Sequence, residues 1–145
     1  EKDESQFKLA MAAILASHGS STKYDIAEEA LENVRKIRLG KDSDLPDGQA
    51  GADLERKSVF KITELYALAG VSMEVKNYPL ALRFYKELID VSPKDAKYHF
   101  EIAKIYLVSG NKVNAIEEAM KAAEIDPANY AGTIKDFIRS IDNAQ

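Results

Sequence analysis

The sequence predicts an all-α protein, and three observations carry that reading. Apolar residues recur at spacings of three and four along most of the chain, and no strand pattern competes with them. Turn formers divide the periodic stretches into seven segments of helical length. Two proline-marked helix starts, Pro93 and Pro127, stand one helix-turn-helix length apart.

Composition places the chain among globular proteins. It has 145 residues, 46% of them hydrophobic and 30% charged, which is enough apolar material to build a core without staples. The net charge is −4, so nucleic acid is not expected as the main partner, because that role needs a basic surface. The absence of Cys removes disulfides, thiolate metal sites and Cys nucleophiles. No apolar run reaches the roughly 18–20 residues that span a bilayer, so no direct membrane insertion is expected. The chain begins at Glu1 rather than Met, so the expectation is a processed or excised fragment from which a signal peptide or another domain has been removed upstream. Its compartment, cytoplasmic or exported, stays open.

The first helix is expected from Gln6 to about Ser17, with Phe7, Leu9, Met11, Ile14 and Leu15 as its apolar residues. His18-Gly19-Ser20-Ser21 breaks it. A second follows from about Lys23 to Leu39, where Ile26, Ala27, Ala30, Leu31, Val34 and Ile37 make an amphipathic stripe. Residues 40–53 are polar and rich in turn formers, with no periodicity. The third helix is expected from about Leu54 to Val75, and Asn77 caps a fourth, Tyr78 to Val91. Ser92-Pro93-Lys94-Asp95 reads as a capped start for the fifth, about Pro93 to Ser109, with Tyr98, Ile102, Ile105 and Tyr106 inward. Gly110-Asn111 ends it. The sixth, Lys112 to Ile125, is expected to bury Val113, Ile116, Ala119, Met120 and Ala123, and to pair Glu117 with Lys121 on its outer face. Asp126-Pro127 starts the seventh, which carries Ile134, Phe137, Ile138 and Ile141.

The shift that carries Pro93 onto Pro127 also superposes Ala69 on Ala103, Tyr78 on Lys112, Ala81 on Ala115, Tyr85 on Ala119, Leu88 on Ala122 and Val91 on Ile125. Residues 62–95 and 96–129 thereby resemble two units of the tetratricopeptide repeat (TPR) family, whose period is this same interval. The first unit departs from the family pattern at Ser72 and at Lys76, where the turn glycine is usual; the second departs at His99 and Ala119, where large apolar residues are usual. Residues 1–41 form an N-terminal hairpin, with 8–41 a degenerate unit through Tyr24, Ala27, Leu31 and Val34, although Leu15 sits where a small residue is wanted. Residues 42–57 are the polar loop running into the long helix, and 130–145 the terminal helix that covers the last apolar face. The resemblance implies an α-solenoid of about seven antiparallel helices in a right-handed superhelix.

Chemistry is hard to find. The two histidines, His18 and His99, have no further His or Cys with which to hold zinc, so packing or helix capping is the expected role. Asp42, Asp44, Asp47 and Gly48 fail the calcium-loop spacing, since Pro46 takes a ligand position and no Glu follows at the right distance. Neither a nucleophile elbow nor a phosphate cradle accompanies Ser17, Ser20 and Ser21. Glu28-Glu29 and Glu117-Glu118 are neighbours on solvated helix faces. No catalysis, metal or cofactor is expected.

The resemblance implies a concave groove lined by the first helix of each pair. Tyr66 and Met73 would line it from one unit, Lys97, Phe100 and Lys104 from the next, and Lys135 from the terminal helix. Lys97, Phe100, Glu101, Lys104 and Val108 also share one stripe at helical spacing, which suits a peptide with acidic and apolar residues. Of the positions that grip a chaperone's terminal carboxylate in one TPR subclass, here Tyr66, Gly70, Glu101, Ala131 and Lys135, only Lys135 fits. The expectation is an adaptor or scaffold that binds a partner peptide or helix in this groove, with Tyr66 and Phe100 as anchors and Lys97, Lys104 and Lys135 steering acidic groups. The alternative is a self-assembling scaffold that forms homo-oligomers through its TPR surfaces.

Overall fold

A computed structural model describes residues 2–17, 21–39 and 59–143. Among the described residues the chain is all-helical, with seven helices: α1 Lys2–Leu15, α2 Ser21–Leu39, α3 Ile62–Glu74, α4 Tyr78–Val91, α5 Ala96–Val108, α6 Lys112–Ile125 and α7 Pro127–Asn143. They fall into two compact units that divide between Ala81 and Leu82, inside α4. The polar loop expected over 42–57 lies outside the described residues.

In the first unit α1 and α2 pack along each other, and α1 also touches α3. Ala10, Ile14, Ala27, Leu31 and Val34 are buried there, together with Leu65, Leu68 and Ala69 of α3. The expected α2 stripe holds only in part, because Ile26 and Ile37 are exposed. Alanines at 27 and 30 let the two helices approach closely, which leaves the bulkier Ile26 on the outer shoulder of α2.

The third helix starts later than the sequence suggests. Residues 59–61 are not helical, and α3 begins at Ile62, where the Glu64 carboxylate accepts the Lys61 N–H at 2.9 Å. A tertiary clasp holds this start. Arg38, in the last turn of α2, donates two hydrogen bonds to Glu64 at 2.6 and 2.8 Å and a third to the Val59 carbonyl at 3.0 Å. Phe60 is buried beside it, with the guanidinium carbons of Arg35 and Arg38 at 5.4 and 5.6 Å from its ring centre and the Phe7 ring at 6.2 Å. The Arg38 hydrogen bonds hold the Glu64 carboxyl below its ordinary value, against the opposing push of burial.

The second unit contains α5 packed on α6 and α6 packed on α7. Four alanines, Ala96, Ala103, Ala119 and Ala122, form its centre with Ile134, and Phe100, Tyr130, Phe137 and Ile138 pack around it. The fifth helix begins at Ala96 rather than Pro93. Residues 93–94 form a turn closed by the Asp95 N–H on the Ser92 carbonyl, and Asp95, not Ser92, caps the helix by accepting the Lys97 N–H. At Asp126-Pro127 the expected start holds, with Asp126 accepting the Asn129 N–H. Asn77 and Asn111 likewise cap α4 and α6 through the N–H groups of Leu80 and Asn114. On α6 the sequence reading errs at two positions: Val113 and Met120 are exposed, because the close contact with neighbouring helices is made by the buried Ala115, Ala119 and Ala122.

The helix bounds repeat. Moving α3 and α4 forward by the interval from Pro93 to Pro127 reproduces both ends of α5 and α6. The turns repeat too, with the Lys76 N–H bonded to the Met73 carbonyl and the Asn77 N–H to Ser72, then Gly110 to Leu107 and Asn111 to Tyr106. Both are Schellman ends, which place their residue just past the helix in the left-handed region, at φ 62° for Lys76 and 87° for Gly110.

Candidate functional site

The residues expected to line the groove divide between the two units: Tyr66 and Met73 lie in the first, and Lys97, Phe100, Lys104 and Lys135 in the second. On α3, Tyr66 is 48% exposed and Met73 half-buried. Gly70 lies one turn beyond Tyr66, and a Cβ there would meet no heavy atom within 4 Å. This side of α3 is therefore open around its small residue.

On α5 the expected stripe is present but more internally engaged than its spacing suggests. Phe100 is half-buried, edge-on to Tyr130 at 5.9 Å and to Phe137 at 5.3 Å between ring centres. It anchors α5 against α7, so only part of its ring faces outward. The Lys104 ammonium lies 4.8 Å above that ring and 2.7 Å from the Glu101 carboxylate. Glu101 also accepts the Tyr85 hydroxyl at 3.4 Å. Lys97, one turn earlier, is exposed, 3.9 Å from the Asp95 carboxylate and 5.3 Å from the Tyr98 ring centre. Val108 at the far end is exposed, as is Lys135 on α7.

The structure thus brings Phe100 and Lys104 together and adds Tyr130 and Phe137, which sequence reasoning did not assign to the site. Their spacing of seven on one helix was the available signal, since i and i+7 share a face. The face offers a partner aromatic edge, two ammonium groups and a carboxylate.

Beside it, an open cleft of about 620 Å³ lies among Ser92, Lys94, Lys97, Asn129 and Tyr130 at the starts of α5 and α7. Asp95 and Asp126 occupy the two helix N-termini there as caps, which removes the partial positive charge an anion would seek.

His99, for which packing or helix capping was expected, pairs with a carboxylate of the next helix instead of capping its own. Its Nδ1 lies 2.9 Å from Glu118, which also accepts from Lys121 at 2.9 Å. Lys121 thus pairs with Glu118, not with Glu117 as expected, and Glu118 is half-buried instead of solvated. Burial pushes the Glu118 carboxyl up, but the bonds from His99 and Lys121 outweigh it and hold the group below its ordinary value. The same contact raises Lys121. Ser17 is buried with its hydroxyl donated to the Ile14 carbonyl at 2.6 Å, a helix-end role. His18, Ser20 and the Asp42–Gly48 run lie outside the described residues. Among the described residues no three His, Cys, Asp or Glu side chains gather as a metal site would need, and no helix is long and apolar enough to cross a membrane.

No protein-family model matches this chain, and no curated protein matches it.

Proposed function

We propose that the chain is a non-catalytic protein–protein interaction module of the tetratricopeptide kind. It would be a right-handed α-solenoid that holds a short peptide or helix of a partner, with α3 and α5 each offering an open face. The observation that supports this most is the recurrence, one repeat apart, of both helix bounds and both Schellman turns. That recurrence goes with buried small residues at matching positions, Ala69 with Ala103 and Ala81 with Ala115. Such regularity makes a stack whose working part is surface, not a pocket.

The partner segment is taken to carry acidic and apolar side chains, for Lys97 and Lys104 flank Phe100 on one face. Lys104 is already held by Glu101, so an incoming carboxylate competes with that contact and binding weakens as salt rises. The test is affinity capture from the source lysate with the native chain and with a Lys97→Glu, Lys104→Glu double variant. A protein held by the native chain and lost by the variant at unchanged helicity is the expected result. Equal recovery by both baits would sink the assignment of this face.

A further inference from the structure

A second surface, on the first unit, is independent of the peptide-binding reading. Between α1 and α2 runs an apolar groove of about 430 Å³, lined by Leu9, Ala12, Ala13, Ala16, Ile26 and Ala30. Leu9 is 57% and Ile26 54% exposed, and both line this one groove, so their apolar surfaces form part of a single patch. The alanines of α1 leave the groove shallow enough for another helix to approach closely.

The charges beside it are arranged symmetrically. Lys23 and Glu29, both exposed and both lining the groove, stand three residues before and three after Ile26. At a helical rise of about 1.5 Å per residue they lie roughly 4.5 Å to either side of Ile26 along α2. Their signs are opposite. An antiparallel α2 laid across this one on a two-fold axis at Ile26 meets Lys23 with Glu29 and Glu29 with Lys23. A parallel one sets like charge against like. The surface is therefore complementary to itself in one orientation, as an isologous contact requires.

We propose that this groove is where a second copy of the chain docks, in an antiparallel two-fold pairing centred on Ile26 that sets Lys23 of each copy against Glu29 of the other. Leu9 and Ile26 are covered by the equivalent groove of the second copy, and two ion pairs fix the register.

Sedimentation equilibrium of the full chain, from micromolar to millimolar concentration, tests this. The native chain is expected to show a monomer–dimer equilibrium, and Ile26→Glu to remain monomeric with its helicity kept, since the position is exposed. Lys23→Glu and Glu29→Lys are each expected to weaken association roughly tenfold or more, by setting like charges together. The double variant Lys23→Glu, Glu29→Lys restores the dimer, and an equimolar mixture of the two single variants forms a heterodimer. These charge variants carry the test even if Ile26→Glu perturbs the fold. A native chain that stays monomeric to millimolar concentration overturns the proposal. So does a dimer that survives Ile26→Glu, which would place self-association elsewhere, or one indifferent to the signs at 23 and 29.

Discussion

The two repeat segments, 62–95 and 96–129, have the same helix bounds and the same hydrogen-bonded turns, yet they fill equivalent positions with different chemistry. Where the first has buried Leu65 and Phe84, the second has His99 and Glu118, hydrogen-bonded at 2.9 Å. Tyr85 of the first is answered by Ala119, and both are buried. The turn residue is Lys76 in one and Gly110 in the other, both at positive φ. The backbone plan thus tolerates a polar pair for an apolar one and a lysine for a glycine. What it holds constant is the small buried residue, Ala69 with Ala103 and Ala81 with Ala115. Backbone separation depends on those side chains, whereas the other positions need only be filled and satisfied.

The polar pair offers the strongest way to break this equivalence. His99→Leu alone leaves a half-buried carboxylate short of one partner and is expected to cost about 1–2 kcal/mol in urea unfolding. Adding Glu118→Phe gives the second segment the residues of the first, and most of that loss should return, because an apolar replacement of a buried polar pair is often neutral or better. Strictly additive losses would mean that the two segments are not equivalent at these positions.

A smaller effect is expected at the turns. Gly110→Ala puts a Cβ in the left-handed region and should lower stability by about 1 kcal/mol. Lys76→Gly relieves the same strain but adds freedom to the unfolded chain, so the gain should be about 0.5 kcal/mol. Thermal unfolding of both variants checks the pair, and a loss on Lys76→Gly would show that the lysine side chain is needed there.

Smallest is the pH response of the clasp that only the first segment carries. The Glu64 carboxyl is lowered in the folded protein by Arg38, so its contribution is fully present above the unfolded value of about 4.5 and is lost as pH falls through the folded value. Glu64→Gln should therefore be less stable than the native chain at neutral pH, by no more than about 1 kcal/mol, and the gap should close in acid. A gap that stays constant to low pH would remove the ion pair from the account.

Much of the fold was legible because local rules carry it. Helix periodicity, the asparagine caps at 77 and 111, the Asp126-Pro127 start and the glycine at 110 each act within a few residues, and each is where the sequence suggests. The start of α3 was not legible, since the buried Phe60 and the Arg38–Glu64 contact join residues 26 positions apart. Nor was the inward face of α2 or α6, because an apolar residue beside a row of alanines can be crowded outward by the close helix contact those alanines permit. At the candidate site the sequence supplied Phe100 and Lys104 on one stripe but not the packing of Phe100 on Tyr130 and Phe137.

By itself the sequence determined an all-helical chain, the recurrence of a helix pair and most helix ends, since short-range hydrogen bonding and periodicity are properties of neighbouring residues. Only the tertiary structure decided that His99 ties to Glu118, that Phe60 sits beneath two arginines, and that Leu9 and Ile26 face outward. Those outcomes depend on which side chains fill a given space first, and that is settled between helices, not within them.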